Sequence, residues 1–252
     1  MKRTLVLSGL ITLFLVLSGC GQSPNSPAES SNLSESILYA SGNGPDNVEI
    51  GEISEEEIED LLFMREEEKL ARDVYLNFAG LYDLAVFDNI AQSEQMHMNK
   101  MLVLITRYGL EDPVGDNPEG VFTNPDLQEL YDVLIAQGAA GLIEALQVGG
   151  AIEEIDILDL IEAMEVAELA DIDRAYSRLL AGSENHLRAF VRELGLLDVV
   201  YEPGYLSQEA FDEIIDGEHI PGGGGHGHGQ YGGNGGGNGG GNGGGNGGGN
   251  GH

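Results

Sequence analysis

Four segments of this chain place side chains at alternating steps of three and four, the spacing that brings residues onto one face of an α-helix. Each of the four stripes is mostly apolar and is interrupted near its middle by small or polar residues. The stripes are Leu61, Met64, Glu68, Ala71, Tyr75 and Phe78; Ile90, Glu94, His97, Met101, Leu104 and Tyr108; Leu146, Gly149, Glu153, Asp156, Leu160 and Ala163; and Ile172, Tyr176, Leu179, Ser183, His186 and Phe190. No stretch shows sustained alternation with β-branched enrichment, so the pattern predicts an all-α fold, most simply an antiparallel four-helix bundle.

Local signals set the expected helix ends. Ser54 and Glu57 have the spacing of a capping box, which opens the first helix. Gly80, Gly109 and Gly195 are expected near the ends of the first, second and fourth long helices. The motif "NPD", with the asparagine at position 124 as cap, predicts an extra short helix between the second and third long helices.

The ends of the chain differ in composition from the helical part. Lys2 and Arg3 precede an apolar run that closes on "LSGC", which resembles the bacterial lipobox and predicts that Cys20 is lipidated. A plain signal peptide with a chance cysteine is the alternative. The predicted organisation is a lipoprotein signal peptide at 1–20, a flexible tether at 21–50, a helical domain at 51–200, a short helical extension at 201–218 and a disordered Gly/Asn-rich tail at 219–252. We therefore expect an exported lipoprotein, anchored on the extracytoplasmic side at the outer membrane or the cell surface.

Charge narrows the set of partners. The chain has 43 acidic and 11 basic residues and a formal net charge of −32. Such a surface repels nucleic acid and anionic lipid headgroups, so we expect no nucleic-acid partner and a membrane attachment through lipid alone. Metal ions are the natural small partners, although acid excess by itself also confers solubility. The single cysteine excludes a disulfide within the domain and a thiolate metal site.

The interrupted stripes indicate a metal site. Buried carboxylates need compensating charge, and the basic residues of the helices fall off the stripes. Glu94 and His97 form a Glu-x-x-His pair on one helix face, and Glu68 occupies a matching single-glutamate position. Of six histidines only His97 and His186 lie within the four helices, both on stripes. Carboxylate with imidazole suits iron or manganese.

Each of these motifs, taken alone, also has an interpretation that involves no metal. A lone Glu-x-x-His recurs by chance on exposed helices, and the run "EEE" at 66–68 is compatible with a solvated face. The tail histidines at 226, 228 and 252 have no scaffold to fix a specific site. Only the coincidence across four helices favours a metal centre.

The residues around these positions resemble a known family. The segment "REEEKLARDVY" is similar to the first-helix Glu-x-x-Ala-Arg-x-x-Tyr pattern of rubrerythrins in the ferritin-like superfamily, and "SEQMHMNKM" resembles their second helix. More closely, "MREEEKLARDVY", "IAQSEQMHMNKML", "RYGLEDP" and "SENHLRAFV" together look like the uncharacterised ferritin-like family called domain of unknown function 2202. The resemblance spans roughly residues 55 to 195.

The resemblance implies a ferritin-like bundle with a carboxylate-bridged centre of two iron ions per chain, manganese being the alternative. The implied metal ligands are Glu68, Glu94, His97, Glu153, Asp156 and His186. Tyr75 is a candidate hydrogen-bond donor behind them or a redox relay, and the alternative is an ordinary core tyrosine. The fourth helix departs from the pattern because Ser183 stands where a glutamate is expected. Either Asp156 or Glu154 supplies the missing oxygen, or the second ion is weakly held, so a one-metal or metal-free bundle stays open.

Two classes of function follow. The first is a lipid-anchored di-iron oxidoreductase or iron-handling protein, with O₂ or peroxide as substrate and peroxidase- or ferroxidase-like chemistry. No cysteine motif carries electrons in this chain, so ferrous iron itself is the expected donor. The alternative is a non-catalytic helical surface module for interaction or metal capture. A homodimer is one option for its assembly.

Overall fold

The computed structural model describes residues 51–217. The predicted signal peptide with Cys20, the tether and the glycine-rich tail lie outside those residues. The described part contains six helices and no strand: α1 Glu55–Tyr82, α2 Ala85–Arg107, α3 Pro125–Gly138, α4 Leu142–Val166, α5 Ala170–Leu196 and α6 Gln208–Asp216. The all-α prediction is confirmed for this part of the chain, and none of its helices is long and apolar enough to cross a membrane.

The local signals predicted most helix ends. Ser54 accepts a hydrogen bond from the backbone N–H of Glu57, whose carboxylate accepts one from Ser54 N–H, so the capping box is confirmed. Gly109 follows α2 with a left-handed φ of 67°. Gly195, in contrast, lies inside α5, and Asp198 takes the left-handed position beyond that helix with φ 60°. Aspartate tolerates this conformation better than most residues, so α5 can end here without a glycine.

The long helices contact each other around one interior. α1 packs along α2, and α4 packs along α5; α1 also contacts α4, and α2 contacts α5. α3 lies against α1 and α4. Every residue of the four predicted stripes is buried, which confirms that the polar interruptions face inward.

Buried cations stabilise this fold without reaching the polar interruptions. Lys69 is fully buried, and its Nζ lies 2.5 Å from Asp73 and 2.8 Å from the carbonyl oxygen of Pro118. The Arg65 guanidinium binds both carboxylate oxygens of Asp112. Within residues 51–217, no lysine or arginine forms a salt bridge with a carboxylate of the four stripes. The stripe carboxylates therefore depend on the two histidines, on protons or on bound cations.

The run "EEE" at 66–68 is buried throughout, so its interpretation as a solvated face was wrong. Glu66 accepts hydrogen bonds from the backbone N–H groups of Thr123 and Asn124 at the start of α3. Glu67 is buried near Asp159, and burial together with this second carboxyl raises the pKa of Glu67 well above its usual value. Glu68 faces the interior between the long helices.

Glu154 holds the C-terminal extension against α4. Its carboxylate accepts hydrogen bonds from the Tyr201 hydroxyl and from the backbone N–H groups of Gly204, Tyr205 and Leu206, the last three at 3.1, 2.8 and 2.8 Å. These donors satisfy both carboxylate oxygens. The expectation that Glu154 could supply a missing metal ligand was therefore wrong.

Candidate metal centre

Two groups of buried side chains meet in the interior, and they share one glutamate. Within each group, one ligand-type atom of every residue lies within 4.8 Å of those of the others. The groups are Glu68, Glu94 and His97, and Glu94, Glu153 and His186. The structure therefore brings together all of the predicted metal ligands except Asp156.

Glu94 lies between the two imidazoles. Its Oε2 is 2.7 Å from Nδ1 of His97, and its Oε1 is 2.7 Å from Nδ1 of His186. The two imidazole rings have centroids 5.6 Å apart and planes inclined by 30°. Each oxygen of one carboxylate thus faces a different nitrogen donor, which is the arrangement of a carboxylate that bridges two ions.

A second carboxylate lies beside each of the two imidazoles. Oε2 of Glu68 is 3.3 Å from Nδ1 of His97, and Oε2 of Glu153 is 3.4 Å from Nδ1 of His186. The first group comes from α1 and α2, whereas the second takes Glu94 from α2, Glu153 from α4 and His186 from α5. The interior therefore contains two similar sets of carboxylate and imidazole ligand atoms. They lie where the pair α1 and α2 packs against the pair α4 and α5.

Several of these atoms lack a hydrogen-bonding partner among the described residues. Oε1 of Glu68, Oε1 of Glu94 and Nδ1 of His186 are buried and unpaired. The 2.7 Å contact between Glu94 and His186 does not have hydrogen-bond geometry, so the two atoms lie side by side. Buried polar atoms are nearly always satisfied, and atoms that face a common ion are satisfied without pointing at each other. The donor set fits iron or manganese on this ground.

The charges of the cluster show how strongly its members are coupled. Burial opposes ionisation of Glu94, but His186 and His97 outweigh it and hold the pKa of Glu94 far below its usual value. Burial likewise disfavours the His97 cation, yet Glu68 and Glu94 raise its pKa to about 10. Burial raises the pKa of Glu68 and of Glu153. The metal-free cluster therefore retains protons on its imidazoles, and a metal ion would displace them.

Tyr75 positions Glu153. Its hydroxyl donates to Oε1 of Glu153 at 2.5 Å and lies 3.3 Å from the carbonyl oxygen of Gly149. Burial, and then the charge of Glu153, raise the pKa of Tyr75 well above its usual value, so the phenol stays a neutral donor. The structure places Tyr75 where the sequence predicted a donor behind the ligands.

Asp156 is held beside the two groups. The Ser183 hydroxyl donates to Oδ2 of Asp156, and Ser183 Oγ also lies 3.0 Å from the carbonyl oxygen of Leu179. Oδ1 of Asp156 is buried and unpaired within residues 51–217. Burial and the charge of Glu153 raise the pKa of Asp156 to about 8. Ser183 thus occupies the expected glutamate position and engages the neighbouring acid.

Two residues of the site were missed by sequence reasoning. Ser93 Oγ lies 2.9 Å from Nε2 of His186 and fixes the far edge of that ring. Gly182 leaves room for His97, because a Cβ at this position would lie 2.6 Å from Cε1 and 2.7 Å from Nε2 of the imidazole. The only sequence signal was that each directly precedes a position already singled out, Glu94 or Ser183.

Comparison with known proteins places the chain in a family. The uncharacterized protein MJ0754 of Methanocaldococcus jannaschii is 47% identical over 163 residues, which are 65% of this chain and 88% of that protein. The crystal structure of hypothetical protein MJ0754 from Methanococcus jannaschii DSM 2661 matches with a TM-score of 0.68 at 44% identity, covering 69% of this chain and 100% of the other. A family described as an uncharacterized protein domain (DUF2202) matches residues 57–218, which include both ligand groups. The chain therefore belongs to the DUF2202 family.

Proposed function

We propose that this chain is a ferritin-like protein with a carboxylate-bridged di-iron centre, which acts in iron handling or in the reduction of peroxide or oxygen. The observation that carries the proposal is the position of Glu94, whose two oxygens each lie 2.7 Å from the Nδ1 atom of a different histidine. Bridging carboxylates in di-iron proteins occupy this position between two nitrogen ligands.

The helix contacts support the ferritin-like arrangement. α1, α2, α4 and α5 surround one interior, and each contributes an inward polar interruption at its middle. In this assignment α3 is the extra helix between the second and third helices of the bundle. Two helices with a carboxylate and two with a histidine are what a di-iron bundle requires, apart from the glutamate that Ser183 replaces.

The residues would divide the ligand roles between two ions. Glu68 and His97 would hold one ion, Glu153 and His186 would hold the other, and Glu94 would be shared by both. Ser183 holds Oδ2 of Asp156, so only Oδ1 of this residue would be free to act as a further ligand. Two ferrous ions held by these residues would supply one electron each for the reduction of oxygen or peroxide. Tyr75 keeps Glu153 oriented through its hydrogen bond of 2.5 Å.

We also propose that the domain works outside the cytoplasm on a lipid attached to Cys20. The support is the sequence itself, where a short apolar run follows two basic residues and closes on "LSGC". Mass spectrometry of the membrane fraction tests this assignment. A mature chain that begins at Cys20 and carries acyl groups is expected, and an unmodified cysteine contradicts it.

Anaerobic iron loading of the full chain tests the metal centre. Metal analysis is expected to find about two iron ions per chain, with a change in the absorption spectrum on exposure to oxygen or peroxide. Glu94→Ala should lose both ions because it removes the shared ligand, whereas Glu162→Ala, at an exposed position of α4, should lose neither. Full iron content in Glu94→Ala would contradict the bridging role.

A non-catalytic module with one structural or captured ion is the second candidate. The Ser183–Asp156 hydrogen bond favours it, because this bond holds one oxygen of Asp156 away from the second group, which lacks the glutamate expected at position 183. Loading would then stop at about one ion per chain, and oxygen would leave the spectrum unchanged.

A further inference from the structure

A cleft between α2 and α5 borders the candidate metal centre. It has a volume of about 500 Å³ and is open to solvent on one side. Its lining includes Ser93, His97, Lys100, Arg178, Gly182 and His186. A cleft of this size holds a small molecule together with some water.

The floor of the cleft is formed by the imidazole edges that face away from the carboxylates. Nδ1 of His97 contacts Glu68 and Glu94, so Cε1 and Nε2 are left toward Gly182, which has no side chain to cover them. His186 likewise turns Nδ1 to the carboxylates and Nε2 to Ser93. A molecule in the cleft therefore contacts the two imidazole rings on the side away from the carboxylates.

Two cations line the cleft without acidic partners. Lys100 follows His97 by three positions on α2, and Arg178 precedes Gly182 by four on α5. Neither forms a salt bridge with a described residue, although most other lysines and arginines of residues 51–217 do, for example Arg107 with Asp171. Lys100 is half-buried and Arg178 is exposed, so the cleft carries two positive charges that no described carboxylate holds in a salt bridge.

The lowered pKa of Lys100 also indicates that this ammonium group lacks an acidic partner. Burial lowers its pKa, Glu68 and Glu94 act in the opposite direction, and the charge of Arg178 lowers it again. The net direction is downward, so the two carboxylates do not offset the cost of keeping this ammonium charged beside Arg178. An anion placed between Lys100 and Arg178 would supply the missing interaction.

We propose that this cleft binds a small anion, inorganic or carboxylate, next to His97 and His186. The inference rests on the proposed function and adds to it a small anion as a ligand beside the same centre. Lys100 and Arg178 select the charge of the bound molecule, and the absence of a side chain at Gly182 lets the His97 ring lie at the wall of the cleft. The same positive charges disfavour cations, so the cleft serves the anion and not metal loading.

Acetate and acetamide test the charge selectivity, because they have nearly the same shape and differ in charge. The full chain, metal-free and loaded with redox-inactive zinc, is titrated with each at low salt and followed by NMR. Acetate is expected to bind at least about fivefold more tightly than acetamide in the wild type. Lys100→Gln and Arg178→Gln should each remove most of this preference, whereas Arg174→Gln, an exposed arginine of α5 outside the cleft lining, should keep it.

Metal content measured on the same samples separates the two proposals. Equal binding of acetate and acetamide to the wild type, or an unchanged preference in both cleft variants, overturns the anion cleft whether or not metal is bound. A variant-sensitive acetate preference supports the cleft. If that preference persists in a chain that binds no metal, the proposed di-metal function fails while the anion site stands.

Discussion

Tyr75 on α1 donates a hydrogen bond of 2.5 Å to Glu153 on α4, and this contact ties one helix pair to a candidate ligand of the other. Replacing Tyr75 by phenylalanine removes the donor and keeps the ring. We expect metal affinity to fall by about 10-fold, the usual effect of losing a hydrogen bond to a ligand. Competition with a chelator measures this change.

Tyr82→Phe is the matched control for Tyr75→Phe. It removes a tyrosine hydroxyl from the same helix, one that donates to the carbonyl oxygen of Gly138. Its metal affinity should equal that of the wild type. Equal affinities in both variants would show that Tyr75 does not position Glu153.

Gly182→Ala separates the metal site from the fold. The new Cβ would stand 2.6 Å from Cε1 of His97, so the imidazole has to move. Alanine favours helix over glycine by up to about 1 kcal/mol, so stability should be kept while metal affinity falls by about 10-fold or more. Gly195→Ala, in the same helix with nothing within 4 Å of the new Cβ, should gain stability and bind metal normally. Normal metal binding in Gly182→Ala would mean that His97 is not a ligand.

Two serine variants together measure how much the hydrogen bond between Ser183 and Asp156 contributes to the free energy of unfolding. Ser183 and Ser177 both lie on α5 and both approach the carbonyl oxygen four residues earlier, but only Ser183 also bonds a carboxyl group. Ser183→Ala should lower the free energy of unfolding by about 1–3 kcal/mol because Asp156 loses a buried partner. Ser177→Ala should lower it by less than about 0.5 kcal/mol, and equal losses would contradict the assignment.

Stability without metal should fall as the pH rises. His97, with its pKa raised from 6.5 to about 10, favours the folded state below pH 6.5, and this contribution is lost as the pH rises through about 10. Asp156, with its pKa raised from 3.8 to about 8, loses its proton first in the unfolded chain, so folding weakens between those values. Both act in the same direction, and urea unfolding of the metal-free chain should give a lower midpoint at pH 9 than at pH 6.

Metal affinity, in contrast to stability, should increase as the pH rises. A metal ion has to displace the protons held on the His97 and His186 imidazoles, whose pKa values are both raised, so binding should tighten as the pH rises from 6 to 9. Calorimetry in buffers of different ionisation enthalpy would also detect the released protons. Affinity that is independent of pH in this range would indicate binding elsewhere on the acidic surface.

Glu154→Gln should release the C-terminal extension. The amide keeps one oxygen but places an NH₂ group among N–H donors, so the hydrogen bond from Gly204 to Oε1 and those from Tyr205 and Leu206 to Oε2 cannot all persist. Hydrogen exchange at 204–206 should accelerate by about 10-fold or more, while the interior of α1 and α2 stays protected. The exposed Glu162→Gln on the same helix is the control, and unchanged exchange in Glu154→Gln would contradict the role.

The stripes could be predicted from the sequence because a helix face has a fixed period, and all their residues are buried. The grouping of Glu68 and Glu94 with His97 followed from the same register. The partners of Glu66 and Glu154 could not be predicted, since they are mainly backbone N–H groups at least 50 residues away along the chain, and such donors leave no trace in the side-chain pattern. The role of Gly182 could not be predicted, because the space that it leaves for His97 depends on how α2 and α5 pack.

The position of Glu94 has a consequence for folding as well as for chemistry. The described part of the chain has no cysteine, so no disulfide joins its two helix pairs. An ion bound by Glu94 together with Glu153 and His186 would link α2 to α4 and α5, and so act as a reversible cross-link between the two halves. The amount of protein that survives heat or proteolysis would then report the supply of metal around it, independently of any catalysis.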